Sequence, residues 1–206
     1  MKPIKSLLVL AILCAPVIAS AQGYYYRGSG APDPLPGGFH NRVGHLTLGG
    51  SIGLGGMHDG GSGITDCGGC DISPLALEFD GHIGGVLSPR FALMLELQGN
   101  LQTVHSDAIN GDTVLSQGAV MLAGQFWILP QLWIKGGIGV ASLQADDAYF
   151  TTDFGTGGAL MAAIGVELVS ARRFALELQG RIIEGTYRSL DDNVTSGTIG
   201  IGVNWY

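Results

Sequence analysis

The feature that most constrains this chain is a two-residue period of hydrophobicity that recurs eight times after residue 43. In the first run, apolar residues at positions 46, 48, 52 and 54 alternate with small or polar residues. The later runs lie near 75–83, 91–101, 117–128, 132–140, 160–168, 174–182 and 198–205. Because successive side chains of a strand point to opposite faces, each run predicts a strand with one apolar face. The pattern therefore predicts eight strands and an all-β fold.

The connections between these predicted strands alternate strictly between long and short. The short ones are 88–90, 130–131 and 170–173, and the long ones are 58–74, 105–113, 144–158 and 185–196. An even number of antiparallel strands, with short turns at one end and long loops at the other, is typical of outer-membrane barrels. The sequence therefore predicts an eight-stranded antiparallel transmembrane β-barrel with an up-and-down meander topology.

The residues on the other face of each run distinguish a membrane barrel from a soluble one. A soluble barrel turns that face to water and carries Lys, Glu and Thr there. This chain has Gly, Ala, Met and Gln there, with scattered single charges. Only 13% of all residues are charged, about half of the ~25% found in an average soluble domain. We therefore expect the apolar face to meet lipid and the other face to line a packed lumen.

The first 21 residues have the pattern of a cleaved secretory signal peptide. Lys2 and Lys5 precede an apolar run at 7–13, and Ala-Ser-Ala at 19–21 matches a cleavage site. No later stretch reaches the ~18 apolar residues of a spanning helix, so only a closed barrel would satisfy the backbone in lipid. Residues 22–42 are rich in Gly and Pro and have no period, which predicts a flexible periplasmic linker before a barrel at 43–206.

Aromatic residues cluster beside the predicted short turns and at the C-terminus. Amphipathic rings concentrate where a membrane meets water, so this cluster predicts a belt at the periplasmic interface. The predicted belt consists of Phe91, Phe126, Trp127, Trp133, Phe174, Trp205 and Tyr206.

Three segments resemble the small outer-membrane β-barrel family of the OmpA-like transmembrane-domain and OmpX type. They are FALMLELQG at 91–99, its echo FALELQG at 174–180, and the terminal GTIGIGVNWY at 197–206. The resemblance implies a Gram-negative outer-membrane location among lipid and lipopolysaccharide. It also implies a final strand, apolar at alternate positions and ending on an aromatic residue, that the barrel-assembly machinery reads. Here the alternation runs through Trp205 and one further residue, Tyr206, follows.

Several charged residues fall on the lumen face of the predicted strands. They are Glu78, Asp80, His82, Glu96, Lys135, Glu167, Glu177 and Arg181. An eight-stranded barrel is just wide enough for side chains to fill it, which predicts a lumen network of ion pairs and hydrogen bonds. Five acids exceed two firm bases by three, so we expect His82 to be protonated or one carboxyl group to keep its proton. A small gated pore is the alternative function.

A second alternative is a lipid A-modifying enzyme, because some outer-membrane enzymes are barrels of similar size. The only tempting group is His105, Ser106 and Asp107. Adjacent residues of an extended segment point to opposite faces, so this trio is better explained as turn chemistry. We expect no catalytic residues, no metal site and no cofactor.

The first long loop contains a CxxC motif at Cys67 and Cys70. An exported chain meets an oxidising compartment, and no second cysteine pair is present to complete a zinc site. The motif therefore predicts a local disulfide that stiffens the loop tip.

The long loops are also acidic, with ten aspartates and Arg188 as the only Lys or Arg. The ten are Asp59, Asp66, Asp71, Asp107, Asp112, Asp146, Asp147, Asp153, Asp191 and Asp192. This acidity disfavours nucleic acid as a partner. It suggests divalent cations that bridge the loops to lipopolysaccharide phosphates. The expected role is structural, or a surface interaction through these loops.

Overall fold

A computed structural model of the chain describes residues 34–35, 37–59, 62–63, 75–106, 111–146, 151–187, 190 and 193–206. The predicted signal peptide at 1–21 and the CxxC motif lie outside the described residues. So do six of the ten loop aspartates, namely Asp66, Asp71, Asp107, Asp147, Asp191 and Asp192.

Within the described residues, eight long antiparallel strands follow one another. They are β1 (Leu46–Asp59), β2 (Ala76–Ser88), β3 (Phe91–Ser106), β4 (Gly111–Trp127), β5 (Leu132–Asp146), β6 (Thr151–Ser170), β7 (Phe174–Gly185) and β8 (Val194–Trp205). Each strand pairs with the next, and β8 pairs back onto β1. A two-residue segment, Ser62–Gly63, adds to the end of β1. The predicted eight-stranded meander barrel is confirmed.

The seam between β1 and β8 is as continuous as the other ladders. It runs without a break from the pair Leu48 and Trp205 to the pair Asp59 and Val194. Every barrel strand therefore has two neighbours, which satisfies the backbone without an open edge. Among the described residues, no helix is long and apolar enough to cross a membrane.

The strands run further at the long-loop end than the hydrophobic pattern indicates. Strand β3 continues to Ser106 and β4 begins at Gly111, so most of the predicted loop at 105–113 is strand. Likewise, β6 begins at Thr151, within the predicted loop at 144–158. The physical reason is that backbone pairing needs no apolar side chain. Above the apolar band, the outward positions become polar and the alternation disappears while the ladder continues.

The outer surface of the barrel is apolar over a broad band. Leu122, Ile138 and Ile199 are examples, with exposed fractions of 54%, 58% and 69%. Contiguous exposure of this kind is rare on soluble monomers, whereas it is the lipid-facing pattern of membrane barrels. At the long-loop end the band gives way to the exposed side chains of His58 and Glu184. The band therefore suits the hydrocarbon core of a membrane.

Four of the seven predicted belt aromatics lie on this outer face at the short-turn end. Phe91 is directly opposite Phe126 in the β3–β4 ladder. Phe174 is opposite Trp205, and their ring centroids are 5.7 Å apart. Trp205 is 52% exposed, as expected for a ring at a lipid interface.

The other three predicted belt residues are turned inward, which corrects the sequence prediction. Trp127 and Trp133 are buried in the lumen, and Tyr206 is half-buried at its mouth. Strand parity explains the two tryptophans, because each shares its inward phase with the residue two positions away, Gln125 or Lys135.

The indole of Trp133 fits inside because the chain has glycine at the facing position. Gly165 is paired with Trp133 in the β5–β6 ladder. A Cβ atom at position 165 would lie 2.2 Å from Cζ2 of the indole, far inside contact distance. The ring therefore lies across backbone that carries no side chain.

The end of the predicted linker also departs from expectation. Phe39, Asn41 and Arg42 are buried, with exposed fractions of 6%, 7% and 4%. Residues 37–45 lie across the short-turn end of the barrel, and Gly44 N donates a 2.8 Å hydrogen bond to the Val86 carbonyl. The predicted flexible linker at 22–42 therefore does not include its last residues. Together with residues 43–45, they cover the short-turn end of the barrel and are here called the floor.

The placement of the three tryptophans predicts how lipids with brominated acyl chains will quench fluorescence. In vesicles of such lipids, Trp205→Phe should remove most of the quenching because only Trp205 faces the chains. The matched variant Trp127→Phe should leave it nearly unchanged. Strong quenching that persists in Trp205→Phe would contradict the inward placement of Trp127 and Trp133.

Candidate functional site

The lumen contains every charged residue that the sequence assigned to it. Each is at most 8% exposed. The structure divides them into two groups along the barrel axis. Glu78, Asp80, His82, Glu96, Lys135 and Arg181 meet in a central cluster, whereas Glu167 and Glu177 lie nearer the short turns.

Arg181 is the hub of the central cluster. Its Nη1 lies 2.8 Å from Glu78 Oε1, and its Nη2 lies 2.7 Å from Asp80 Oδ2 and 2.8 Å from Glu96 Oε1. One guanidinium group on β7 thus joins carboxylates from β2 and β3. A planar, always-charged fork suits this multiple pairing better than an ammonium group.

Glycines on β1 and β8 leave the space into which these long side chains reach. Gly49, Gly53, Gly200 and Gly202 occupy inward positions at the seam. A Cβ atom at Gly53 would lie 3.1 Å from Glu78 Oε2. The large polar residues and the glycine-lined wall are therefore complementary in volume.

A second cation and a histidine complete the cluster. Lys135 Nζ lies 3.2 Å from Glu96 Oε2, so Glu96 joins both cations. His82 Nδ1 is 3.3 Å from Asp80 Oδ1, and its Nε2 meets the side-chain oxygen of Asn204. The cluster spans the lumen from β5 to β8.

Neutral polar groups supply further hydrogen bonds to the carboxylates. Gln98 and Thr198 donate to Glu78, and Gln179 and Ser51 donate to Asp80. Buried carboxylates are costly unless they are both paired and hydrogen-bonded. Glu78 and Asp80 meet both conditions, whereas Glu96 is held by its ion pairs with Arg181 and Lys135.

An apolar layer, absent from the sequence predictions, closes the lumen toward the long loops. It contains Met57, Leu115, Leu143, Ile183, Tyr187 and Val194. Gln117 connects it to the central layer by donating a 2.7 Å hydrogen bond to the Tyr187 hydroxyl. Burial raises the pKa of this phenol, which therefore stays neutral. The sequence signal for this layer is the presence of apolar residues at inward-facing strand positions, which the prediction from charged residues does not include.

Glu167 organises the layer near the short turns. Its two carboxylate oxygens accept hydrogen bonds of 2.8 and 2.9 Å from Arg42 Nη1 and Nη2. Trp127 Nε1 donates a further bond of 2.8 Å, and Ser170 donates another. Sequence reasoning missed Arg42 because it belongs to a segment with no period. The residue adds a third cation to the five buried carboxylates.

Glu177 lies directly opposite Glu167 in the β6–β7 ladder. It accepts a 3.0 Å hydrogen bond from Trp133 Nε1. Within the part of the chain that the structure describes, Glu177 makes no ion pair. With Arg42 included, the acid surplus falls from three to two. That His82 or a carboxyl group holds a proton stays a prediction.

The structure describes the backbone of two residues of the trio in the enzyme alternative. His105 and Ser106 are consecutive residues of β3, paired with Asp112 and Gly111 of β4. Asp107 lies outside the described residues. No group of three His, Cys, Asp or Glu in the described ranges is placed to hold a metal ion.

Solved structures share this architecture. The attachment invasion locus protein Ail of Yersinia pestis, in complex with the heparin analogue sucrose octasulfate, matches with a TM-score of 0.55 and 10% identity over 79% of this chain and 99% of that one. Neisserial surface protein A matches with a TM-score of 0.53 and 12% identity, over 78% and 95% of the two chains. The fold is that of a small outer-membrane β-barrel. No protein-family profile and no curated protein matches the chain.

Removing the hub of the central cluster should destabilise the barrel strongly. Arg181→Met keeps much of the side-chain volume but leaves three carboxylates without their shared cation. We expect a loss of about 3–5 kcal/mol in the free energy of unfolding, measured by urea titration in liposomes. Adding Glu96→Gln should recover part of the loss, because it removes one uncompensated charge.

The matched control for this experiment is Arg173→Ala, which removes an exposed arginine in the turn after β6. It should change the unfolding free energy by less than about 0.5 kcal/mol. A loss below about 1 kcal/mol for Arg181→Met, well under the cost of breaking a buried pair, would contradict the hub role.

Proposed function

We propose that this protein is an outer-membrane barrel with a closed, side-chain-filled lumen, and that its role is structural or a surface interaction. The observation that carries the proposal is the stacking of three filled layers along the lumen. The first layer is the floor, where Arg42 binds Glu167. The second is the central cluster around Arg181, and the third is the apolar layer around Tyr187.

Each layer opposes passage for a different physical reason. The floor is held by a bidentate ion pair, and the central layer by several ion pairs that share Arg181. The third layer is apolar and packed around Met57 and Ile183. An aqueous path would have to break buried ion pairs and wet an apolar layer at once. Both steps are costly, which favours a closed barrel over the pore alternative.

The proposed orientation places the short turns in the periplasm and the long loops outside the cell. Outer-membrane barrels have short periplasmic turns and longer extracellular loops. The cleaved signal peptide predicted at 1–21 would direct export of the chain, which is consistent with this location. Residues 37–45 would then face the periplasm.

The outer face of β8 fits engagement by the barrel-assembly machinery. Ile199, Ile201 and Trp205 lie on that face and are exposed. Tyr206 instead turns toward the floor, where Arg42 lies over its ring. We therefore place the assembly signal at residues ending on Trp205, with the last residue serving the floor.

The proposed external partner is lipopolysaccharide, bridged by divalent cations. Ail was solved with a sulfated sugar analogue, a polyanion. The long loops of this chain carry ten aspartates and a single arginine, so direct contact with a polyanion would be repulsive. Oxygen-rich acidic loops bind Ca²⁺ or Mg²⁺, and these ions neutralise both surfaces.

Conductance in planar lipid bilayers tests the closed lumen. The refolded protein should give no discrete openings between pH 4 and pH 8, because the three layers leave no aqueous path. A porin reconstituted in the same way is the positive control, and flotation with liposomes verifies insertion. Reproducible stepwise openings of the unmodified protein would overturn the closed-lumen proposal in favour of the pore.

A further inference from the structure

Residues 37–45, here called the N-terminal segment, touch all three short turns. The Phe39 ring lies under the Arg90 guanidinium of the first turn, 4.4 Å away. A Cβ atom at Gly38 would lie 3.4 Å from Pro130 Cγ of the second turn, so the backbone of Gly38 is close to that ring. His40 Nε2 is 3.2 Å from the Ser170 carbonyl at the third turn. The segment therefore bridges hairpins that are distant from one another along the chain.

Arg42 binds through both of its terminal nitrogens. Glu167 receives its forked hydrogen bonds, and the Ala171 carbonyl accepts a third bond of 2.7 Å from Nη2. Ser170 Oγ lies 3.4 Å from the same nitrogen. The guanidinium carbon Cζ lies over the Tyr206 ring, 3.9 Å from the ring centroid.

These contacts match the chemistry of a guanidinium ion in particular. A carboxylate that binds with both oxygens at once needs two coplanar N–H groups, which an ammonium ion lacks. An aromatic face stacks on a flat cation better than on a compact, strongly hydrated one. The polar groups and the ring therefore select shape as well as charge.

We infer that Glu167, Ser170, the Ala171 carbonyl and Tyr206 form a guanidinium-binding site at the short-turn mouth, which the chain fills with its own Arg42. Occupation of the site locks the N-terminal segment across the barrel. The inference goes beyond the proposed function, because the central and apolar layers close the lumen without it.

The composition of the site determines when it forms. Glu167 belongs to β6, Ala171 to the following turn, and Tyr206 directly follows β8. These groups come together only after β8 has paired with β1. Contacts between residues so far apart in sequence form late in folding. Binding of Arg42 in this site therefore slows unfolding and has little effect on the folding rate.

The test measures folding and unfolding rates of Arg42→Ala in detergent micelles, with and without millimolar methylguanidinium chloride. We expect unfolding to accelerate on the order of a hundredfold, with an unchanged folding rate. Methylguanidinium should restore slow unfolding, whereas the same concentration of methylammonium chloride should not. If neither ion restores it, or both do equally, the guanidinium site is refuted.

Two further variants keep the test decisive. Arg42→Lys keeps the charge but loses the fork, so it should unfold faster than the parent, and unfolding as slow as the parent would refute the site. Arg173→Ala should unfold at the parent rate, and acceleration equal to that of Arg42→Ala would also refute it. If Arg42→Ala does not refold without an added ion, its refolding is compared in the two salts. Refolding in methylguanidinium but not in methylammonium supports the site, and refolding in neither salt refutes it.

Conductance of the same Arg42→Ala protein separates this inference from the proposed function. The guanidinium site predicts faster unfolding that methylguanidinium reverses, whatever the conductance. The closed lumen predicts silent bilayers even without Arg42, because the central and apolar layers remain.

Discussion

Pairing between β1 and β8 gives every strand two neighbours, and the rest of the structure depends on this closure. In hydrocarbon, an unpaired N–H or C=O group costs several kcal/mol, so a sheet survives there only when it closes. Closure also divides the side chains by parity into an outer and an inner set. The outer set meets lipid through residues such as Leu122 and Ile138, and the inner set must fill a narrow interior.

The interior is filled by volume complementarity as much as by charge. Gly49, Gly53 and Gly202 leave space in the wall at the seam, and the side chains of His82, Glu78 and Glu177 occupy that space. Buried ions cost desolvation energy that only close pairing offsets. Here one guanidinium group shared by three carboxylates provides that pairing, and amide and hydroxyl donors add hydrogen bonds to two of them, Glu78 and Asp80. Breaking one contact therefore affects the whole central layer.

Strand parity made the barrel, its meander and its lumen residues predictable, because parity depends only on local geometry. Glu78 and Arg181 could be assigned to the interior from period alone. Residue type alone assigns Trp127 to the belt, but its position in the strand turns it inward, where the Glu167 carboxylate accepts its N–H. Arg42 was not predictable, since no local pattern shows that residue 42 will meet Glu167, 125 positions away. The length of the strands beyond the apolar band was also not predictable, because backbone pairing does not require particular side chains.

Accessibility of the central layer to water-soluble reagents tests the closed lumen most directly. Ala123 faces the lumen and is fully buried, whereas Gln144 is exposed near the long-loop end. Ala123→Cys and Gln144→Cys would be introduced separately into a chain with Cys67 and Cys70 replaced by serine. The folded proteins in micelles would then be treated with a charged methanethiosulfonate reagent. A filled lumen predicts rapid modification at position 144 and none at position 123 until the barrel is unfolded. Modification of both positions at similar rates in the folded state would show a water-filled lumen and contradict the account.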